Sequence, residues 1–165
     1  MRIKYIIAAL ALVNILACGL TPKAAGTIKS EQLRLLVSES RNDIDFDNLR
    51  AIMVVTERGC LSCNRAFADM LTEHLNDTTM LFWVSAMGQG VDISPFQLAS
   101  GRVIWDYEDR LRPLGLAEGS GAILIQHGAI DTIIPLDAKN IAESLDFLAG
   151  QFHALTTDSL KNSLP

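Results

Sequence analysis

Two cysteines separated by two residues, Cys60 and Cys63, are the side chains best suited to chemistry in this sequence. They follow an apolar run that ends at Thr56, and the apolar residues after them recur at helical spacing. A thiol at the first turn of a helix faces free backbone N–H groups and the positive end of the helix dipole, which stabilise a thiolate. The pattern therefore predicts that Cys60 is a nucleophile that exchanges with disulfides.

Cys63 is predicted to be the resolving thiol of the pair. It lies one helical turn after Cys60, so it can attack a mixed disulfide on Cys60 and release the second sulfur of the substrate. Its position on the apolar face of the helix predicts that it is the less exposed of the two. Arg58 and Arg65 flank the pair and would favour the thiolate weakly, because solvent screens exposed charges.

Two other uses of the cysteine pair remain open from the residues alone. The pair can form an inert structural disulfide, or its thiolates can hold copper(I) together with a third ligand such as His127. A closed zinc site is not predicted, because it needs four ligands and the histidines, His74, His127 and His153, are not spaced for one. We therefore predict no resident metal and no cofactor.

The first residues have the pattern of an export signal. Arg2 and Lys4 precede an apolar run of about ten residues, whereas a membrane span needs about 20. The sequence Ile-Leu-Ala-Cys at 15–18 resembles the lipobox of bacterial lipoproteins, which implies cleavage before Cys18, lipidation of its thiol and a membrane-anchored, periplasm-facing protein. The predicted divisions are a signal peptide at 1–17, a lipidated cysteine with a tether at 18–29, and a folded domain at 30–165.

Composition and charge indicate one packed domain and argue against nucleic-acid binding. The chain has 165 residues, of which 49% are hydrophobic and 20% are charged, so it suits one packed domain. Its formal net charge is −5, and removal of Arg2 and Lys4 with residues 1–17 would make it 12 − 19 = −7. Nucleic-acid binding requires clustered basic residues, and the sequence has no such block. We expect no nucleic-acid partner.

Hydropathy predicts the elements that position the cysteines. Ser30 fits the N-cap of a helix that ends by Asn42-Asp43, and the β-branched run 51–56 predicts a central strand covered on both faces. A second buried strand at 80–84 and a hairpin with Gly128 in its turn follow. The remaining predicted elements are a short strand at 102–106 and a final helix from Ile141 to Leu155.

This order of elements, with CxxC opening the first helix after a central strand, resembles the thioredoxin-like superfamily. It resembles especially the membrane-tethered TlpA-type thiol-disulfide oxidoreductases and their redoxin relatives, through the segments 109–116 and 122–128 as well as the CxxC pair. The resemblance implies an α/β fold with a central mixed sheet flanked by helices. It also implies disulfide reduction or isomerisation of exported proteins, with a separate redox partner.

Two positions depart from the family pattern. Gly59 stands where the family usually has an aromatic residue, and Ser120 or Gly121 stands at the position of the family's cis-proline. The resemblance implies that these three residues border the substrate-binding loop. A non-proline peptide there is expected to be trans, since the cis form costs about 2.5 to 4 kcal/mol. Loss of the proline favours the copper alternative, as in Sco-type chaperones, although their cysteines are spaced by three residues.

Other polar and aromatic residues near these elements receive structural interpretations. Trp83 and Trp105 are expected to pack in or beside the core. Glu57 follows the central strand, and we expect a solvated carboxylate there rather than a proton acceptor for Cys63. His127 is expected to be a hairpin-turn residue.

Overall fold

The computed structural model describes the backbone of residues 22–162 and the side chains of residues 26–99 and 101–152. The predicted signal peptide and Cys18 lie outside the described residues. Within residues 22–162, no helix is both long enough and apolar enough to cross a membrane. The helices are α1 (Pro22–Ser40), α2 (Leu61–Leu71), α3 (Ser94–Leu98) and α4 (Ile141–Asn162), and the strands are β1 (Ala51–Thr56), β2 (Met80–Ser85), β3 (Val103–Trp105), β4 (Gly121–Gln126) and β5 (Ala129–Pro135).

The strands form one mixed sheet in the order β3-β2-β1-β4-β5. β1, β2 and β3 are parallel, whereas β4 runs antiparallel to β1 and β5 antiparallel to β4. All six residues of β1 are buried, as its β-branched composition predicts for a strand covered on both faces. The prediction of an α/β fold with a mixed sheet flanked by helices is confirmed.

Alternate residues of β1 face two separate apolar cores. Met53 and Val55 pack in a core with Phe67 of α2 and Phe152 of α4. Ile52 and Val54 pack in the other, whose members include apolar residues of α1 and the buried ring of Trp83. Because successive side chains of a strand point to opposite faces, a single central strand supports both layers.

α1 begins at Pro22, so the predicted N-cap at Ser30 is wrong, and residues 22–29 are helical instead of irregular. The Ser30 hydroxyl donates a hydrogen bond to the Gly26 carbonyl one turn earlier, at 2.9 Å. It also accepts one from the backbone N–H of Ile130 in β5, at 2.9 Å. Ser30 therefore connects α1 to the edge of the sheet.

The predicted hairpin and the predicted short strand at 102–106 are both present, as β4–β5 and β3. Backbone φ is +51° at His127 and +70° at Gly128, so both residues of the β4–β5 turn are left-handed, as a tight two-residue hairpin of this type requires. β3 pairs in parallel with β2 at the sheet edge. The final helix continues past Leu155 to Asn162, and α3 was not predicted.

Trp83 is fully buried, which confirms its predicted packing role. Its indole N–H donates a hydrogen bond of 2.7 Å to the Asp106 carboxylate, which is itself 2% exposed. The guanidinium of Arg110 binds the same carboxylate at 3.2 Å and lies 5.4 Å from the centre of the Trp83 ring. Trp105 is half-buried and stacks on Tyr107.

Replacing Asp106 by Ala should destabilise the fold by about 2 to 3 kcal/mol, because it leaves a buried indole N–H and a partly buried guanidinium without their acceptor. The measurement is urea unfolding followed by tryptophan fluorescence. Asp131→Ala, at an exposed carboxylate of β5, is the matched control. Equal midpoints for the two variants would show that the Asp106 network does not contribute.

Candidate active site

Cys60 and Cys63 form a disulfide at the beginning of α2, with their Cα atoms 5.2 Å apart. Cys60 is the N-cap residue, in extended backbone geometry, and Cys63 lies in the first turn. Cys63 is only 2% exposed, whereas Cys60 is partly exposed. Because β1 ends four residues before Cys60, the pair lies at the carboxyl end of the central strand.

Two hydrogen-bond donors of α2 lie within reach of the Cys60 sulfur. The backbone N–H of Cys63 donates to it at 3.3 Å, and the Ser62 hydroxyl lies 3.4 Å away. In a reduced pair both donors would stabilise a thiolate on Cys60, together with the positive end of the helix dipole. Sequence reasoning did not identify Ser62, although a hydroxyl in the first turn after a cysteine N-cap was a usable signal.

Asn64 holds the chain just before the cysteines, and its role was also missed. Its side chain is fully buried, and its amide N–H donates to the Arg58 carbonyl at 2.7 Å. Its amide oxygen is buried and has no hydrogen-bond partner among the described residues. Through its bond to the Arg58 carbonyl, Asn64 restrains the loop 57–60, in which Gly59 has a φ of +78°. The sequence indicates this role only by placing a polar amide on the otherwise apolar face of α2.

The guanidinium of Arg58 is paired with a carboxylate and not with the cysteines. It binds both oxygens of Asp109, and its Nε donates to the Glu118 carbonyl at 3.4 Å. Its positive charge is therefore largely compensated by Asp109, and its effect on a Cys60 thiolate is small. The same contacts attach the cysteine loop to the segment that leads into β4.

The Glu57 carboxylate is partly exposed, and it is bound by backbone N–H groups of the loop after β2. Its two carboxylate oxygens accept hydrogen bonds from the N–H groups of Met87 and Gly90, at 3.0 and 2.7 Å. Burial alone would raise the pKa of Glu57, but backbone N–H groups of residues 87 and 89–91 outweigh burial and leave that pKa below its ordinary value. Glu57 thus fixes the loop after β2, which the prediction missed because that loop is distant in sequence.

The loop at 87–91 is also attached to α2. The Arg65 Nε donates to the Gly90 carbonyl at 2.6 Å, so Arg65 binds this loop instead of acting on the thiols. A Cβ at residue 90 would lie 2.6 Å from a methyl carbon of Leu61, so the exposed Leu61 side chain packs directly on this loop. Leu61, Met87 and Tyr107 are exposed apolar side chains at this end of the sheet.

Ser120, one of the two residues that we expected at a cis-proline position, is fully buried. Its hydroxyl accepts a hydrogen bond from the Thr56 N–H at 3.0 Å and donates one to the Thr56 carbonyl at 3.2 Å. Gly121 is buried as well, and a Cβ there would collide with the Ile134 carbonyl oxygen. The peptide bonds of the described residues are all trans, as expected. Of the three predicted loop residues, only Gly59 is exposed.

Two of the histidines, His74 and His127, lie away from the cysteine site. β4 is antiparallel to β1, so His127, after the end of β4, lies at the opposite end of the sheet from Cys60. His127 as a third copper ligand is therefore wrong. The His74 ring packs edge-on against Phe152, and the side chain of His153 lies outside the described ones. Within the described residues, no group of three His, Cys, Asp or Glu side chains is arranged to hold a metal ion.

Gly59→Ala should destabilise the fold by about 1 to 2 kcal/mol, because an L-residue at φ +78° is strained even though the site has free space. The measurement is the free energy of unfolding in urea. Gly101→Ala is the control, since Gly101 has equal space and no positive φ. An equal loss of stability in Gly101→Ala would show that the positive φ of Gly59 is not the cause of the destabilisation.

Glu57→Gln should loosen the loop at 87–91, because an amide cannot replace a carboxylate that accepts from several N–H groups. Hydrogen exchange of residues 87–91 is expected to accelerate. Since the folded-state pKa of Glu57 lies below its ordinary 4.5, its stabilisation is present above pH 4.5 and is lost as the pH falls through the folded-state pKa.

The pH profile of unfolding free energy should therefore decline less at acid pH in Glu57→Gln than in the unmodified chain. Glu143→Gln on the exposed face of α4 serves as the control. Unchanged exchange in the loop would exclude Glu57 as its anchor.

No family model, curated protein or solved structure matches this chain. The geometry around Cys60 and Cys63 is therefore the basis on which a function can be proposed.

Proposed function

We propose that this protein is an exported thiol-disulfide oxidoreductase of the thioredoxin-like class. The observation that carries the proposal is the Cys60–Cys63 disulfide itself, which joins a partly exposed N-cap sulfur to a buried sulfur in the same helical turn. An attacking thiolate can reach Cys60, whereas Cys63 is shielded. This asymmetry supports Cys60 as the nucleophile and Cys63 as the resolving thiol.

The architecture supports the proposal at a coarser level. A central parallel pair of strands, a cysteine-led helix after the first of them and a terminal antiparallel hairpin are compatible with a thioredoxin-like fold. The pair lies where the sheet, the loop at 87–91 and the segment before β4 meet. Residues at the carboxyl ends of parallel strands are the usual location of ligand sites in α/β proteins.

In the reducing direction, the Cys60 thiolate attacks one sulfur of a substrate disulfide. That S–S bond breaks, a mixed disulfide forms on Cys60, and one substrate thiolate leaves and takes a proton from solvent. Cys63 then loses its proton to solvent and attacks the Cys60 sulfur, which restores the Cys60–Cys63 disulfide and releases the second substrate sulfur as a thiolate that takes a proton from solvent. The substrate gains two electrons, and a dithiol partner protein must supply two electrons to reduce the pair again.

The surroundings of the cysteines suit this sequence of steps. The Cys63 N–H and the Ser62 hydroxyl are placed to stabilise Cys60 as a thiolate and as a leaving group. Asn64 and Arg58 hold the preceding loop, so the helix start keeps its position while the disulfide opens and closes. The substrates we propose are thiols or disulfides of exported proteins.

Export and lipid anchoring at Cys18 belong to the proposal as well. They are supported by the basic start, the apolar run and the lipobox-like residues before Cys18. A disulfide between the two cysteines of the folded domain suits an oxidising compartment outside the cytoplasm.

A redox titration tests the proposal directly. The full chain carrying Cys18→Ser, which leaves one thiol pair, is equilibrated in thiol buffers while the Cys60–Cys63 disulfide is quantified. We expect a reversible two-electron transition between about −120 and −270 mV, the span of known exchangers. A pair that stays oxidised below about −300 mV would be a structural bridge and would contradict the proposal.

Single-cysteine variants separate the two roles. Cys60→Ser should abolish reduction of a peptide disulfide, whereas Cys63→Ser should accumulate a mixed disulfide with the substrate that mass spectrometry detects. Cys18→Ser is the matched control and should retain activity. Activity in Cys60→Ser, or stoichiometric copper(I) retained by the reduced pair with no exchange activity, would contradict the assignment.

A further inference from the structure

A cavity of about 800 Å³ opens at the end of the sheet opposite the cysteines. β1, β2 and β3 begin there, and β4 ends there, so its walls come from the amino ends of parallel strands and from the hairpin turn. Its polar lining is rich in hydrogen-bond donors. These include Arg50, Thr78, Arg102, Gln126, His127 and Gln151.

Two arginines of this cavity, Arg50 and Arg102, have no carboxylate partner among the described residues. Each of five arginines elsewhere in the described residues lies within 4 Å of a carboxylate: Arg34, Arg41, Arg58, Arg110 and Arg112. Within the described residues, the guanidinium groups of Arg50 and Arg102 have no hydrogen bond or ion pair of this kind. Both residues are only partly exposed. Arg102 acts on Asp43 through longer-range attraction, but Arg41 already binds that carboxylate.

The carboxylates of the cavity do not cancel this charge. Asp47 is engaged by Arg34 through both of its oxygens. Asp131 is exposed and accepts a hydrogen bond from the neighbouring Thr132 hydroxyl. Among the described residues, the cavity therefore holds two guanidinium groups without a carboxylate partner and one carboxylate, Asp131, without an ion pair. In a chain whose formal net charge is −5, this is a local concentration of positive charge.

The backbone that carries Arg50 is fixed by the sheet. Its N–H donates to the Thr79 carbonyl at 2.8 Å, and its carbonyl accepts from the Ile125 N–H at 2.8 Å. These bonds connect the beginning of β1 to its neighbours on both sides and do not involve the guanidinium. Arg102 directly precedes β3, at the end of a short 3-10 turn in which its N–H donates to the Ala99 carbonyl at 3.2 Å. Both charges thus extend from hydrogen-bonded backbone beside the sheet, which reduces the entropy lost on binding.

We infer that this cavity binds a small soluble molecule carrying a phosphate group, with Arg50 and Arg102 as the residues that recognise it. The planar guanidinium matches two oxygens of a phosphate, and the hydroxyl of Thr78 and the amides of Gln126 and Gln151 add neutral donors. The volume lies within the range of small-molecule sites. The site is separate from the cysteines, so its occupancy does not depend on the proposed redox activity.

Isothermal titration calorimetry with inorganic pyrophosphate tests the inference on the full chain at constant ionic strength. We expect saturable binding that falls at least about tenfold in Arg50→Gln and in Arg102→Gln, since each loses a charged hydrogen bond. Arg50→Lys should retain part of the affinity, because it keeps the charge without the two-pronged geometry. Circular dichroism confirms that each variant is folded.

Lys139→Gln is the matched control, because it removes the same charge from the exposed turn before α4, at the cysteine end of the sheet. It should bind pyrophosphate as the unmodified chain does. Equal weakening in this control would reveal general charge attraction and overturn the inference. Absence of saturable binding, or co-sedimentation with phosphatidylglycerol vesicles in place of pyrophosphate binding, would overturn it as well.

Discussion

The last residue of β1, Thr56, has no strand partner on the β4 side, and the Ser120 hydroxyl supplies both hydrogen bonds that a strand would have made. This pairing fixes where β1 stops, at a residue that is only 1% exposed. Loss of such a pair would leave a buried N–H and carbonyl, at a cost of about 1 to 3 kcal/mol each. The position of the cysteine loop depends on this endpoint, because only three residues separate Thr56 from Cys60.

The loop that follows is held from three sides by polar side chains. Glu57 reaches the loop after β2, Arg58 reaches Asp109, and Asn64 of α2 reaches back to the Arg58 carbonyl. Each contact pairs a partly buried backbone or charged group with a hydrogen-bond partner. The result is a rigid support for a disulfide whose outer sulfur remains accessible. Rigidity in the loop and accessibility at Cys60 are what an exchanger of thiols requires.

Polar chemistry is distributed between the two ends of one sheet. The carboxyl end of the parallel strands presents the disulfide together with exposed apolar side chains, which suits contact with another polypeptide. The amino end presents Arg50 and Arg102 in a cavity that suits a small anion. The apolar cores on both faces of β1 separate these regions, so a change at one end need not disturb the other.

Local patterns determined the central strand, the cysteine-led helix and the hairpin around Gly128, because periodicity and turn geometry are set by neighbouring residues. They also predicted correctly that Cys63 is the buried cysteine. Tertiary structure alone decided the roles of Glu57 and Ser120, because their partners lie 33 and 64 residues away in sequence. It also separated His127 from the cysteines. Such contacts depend on which loops come together when the strands assemble into the sheet. Hydropathy along the chain does not encode which loops become neighbours.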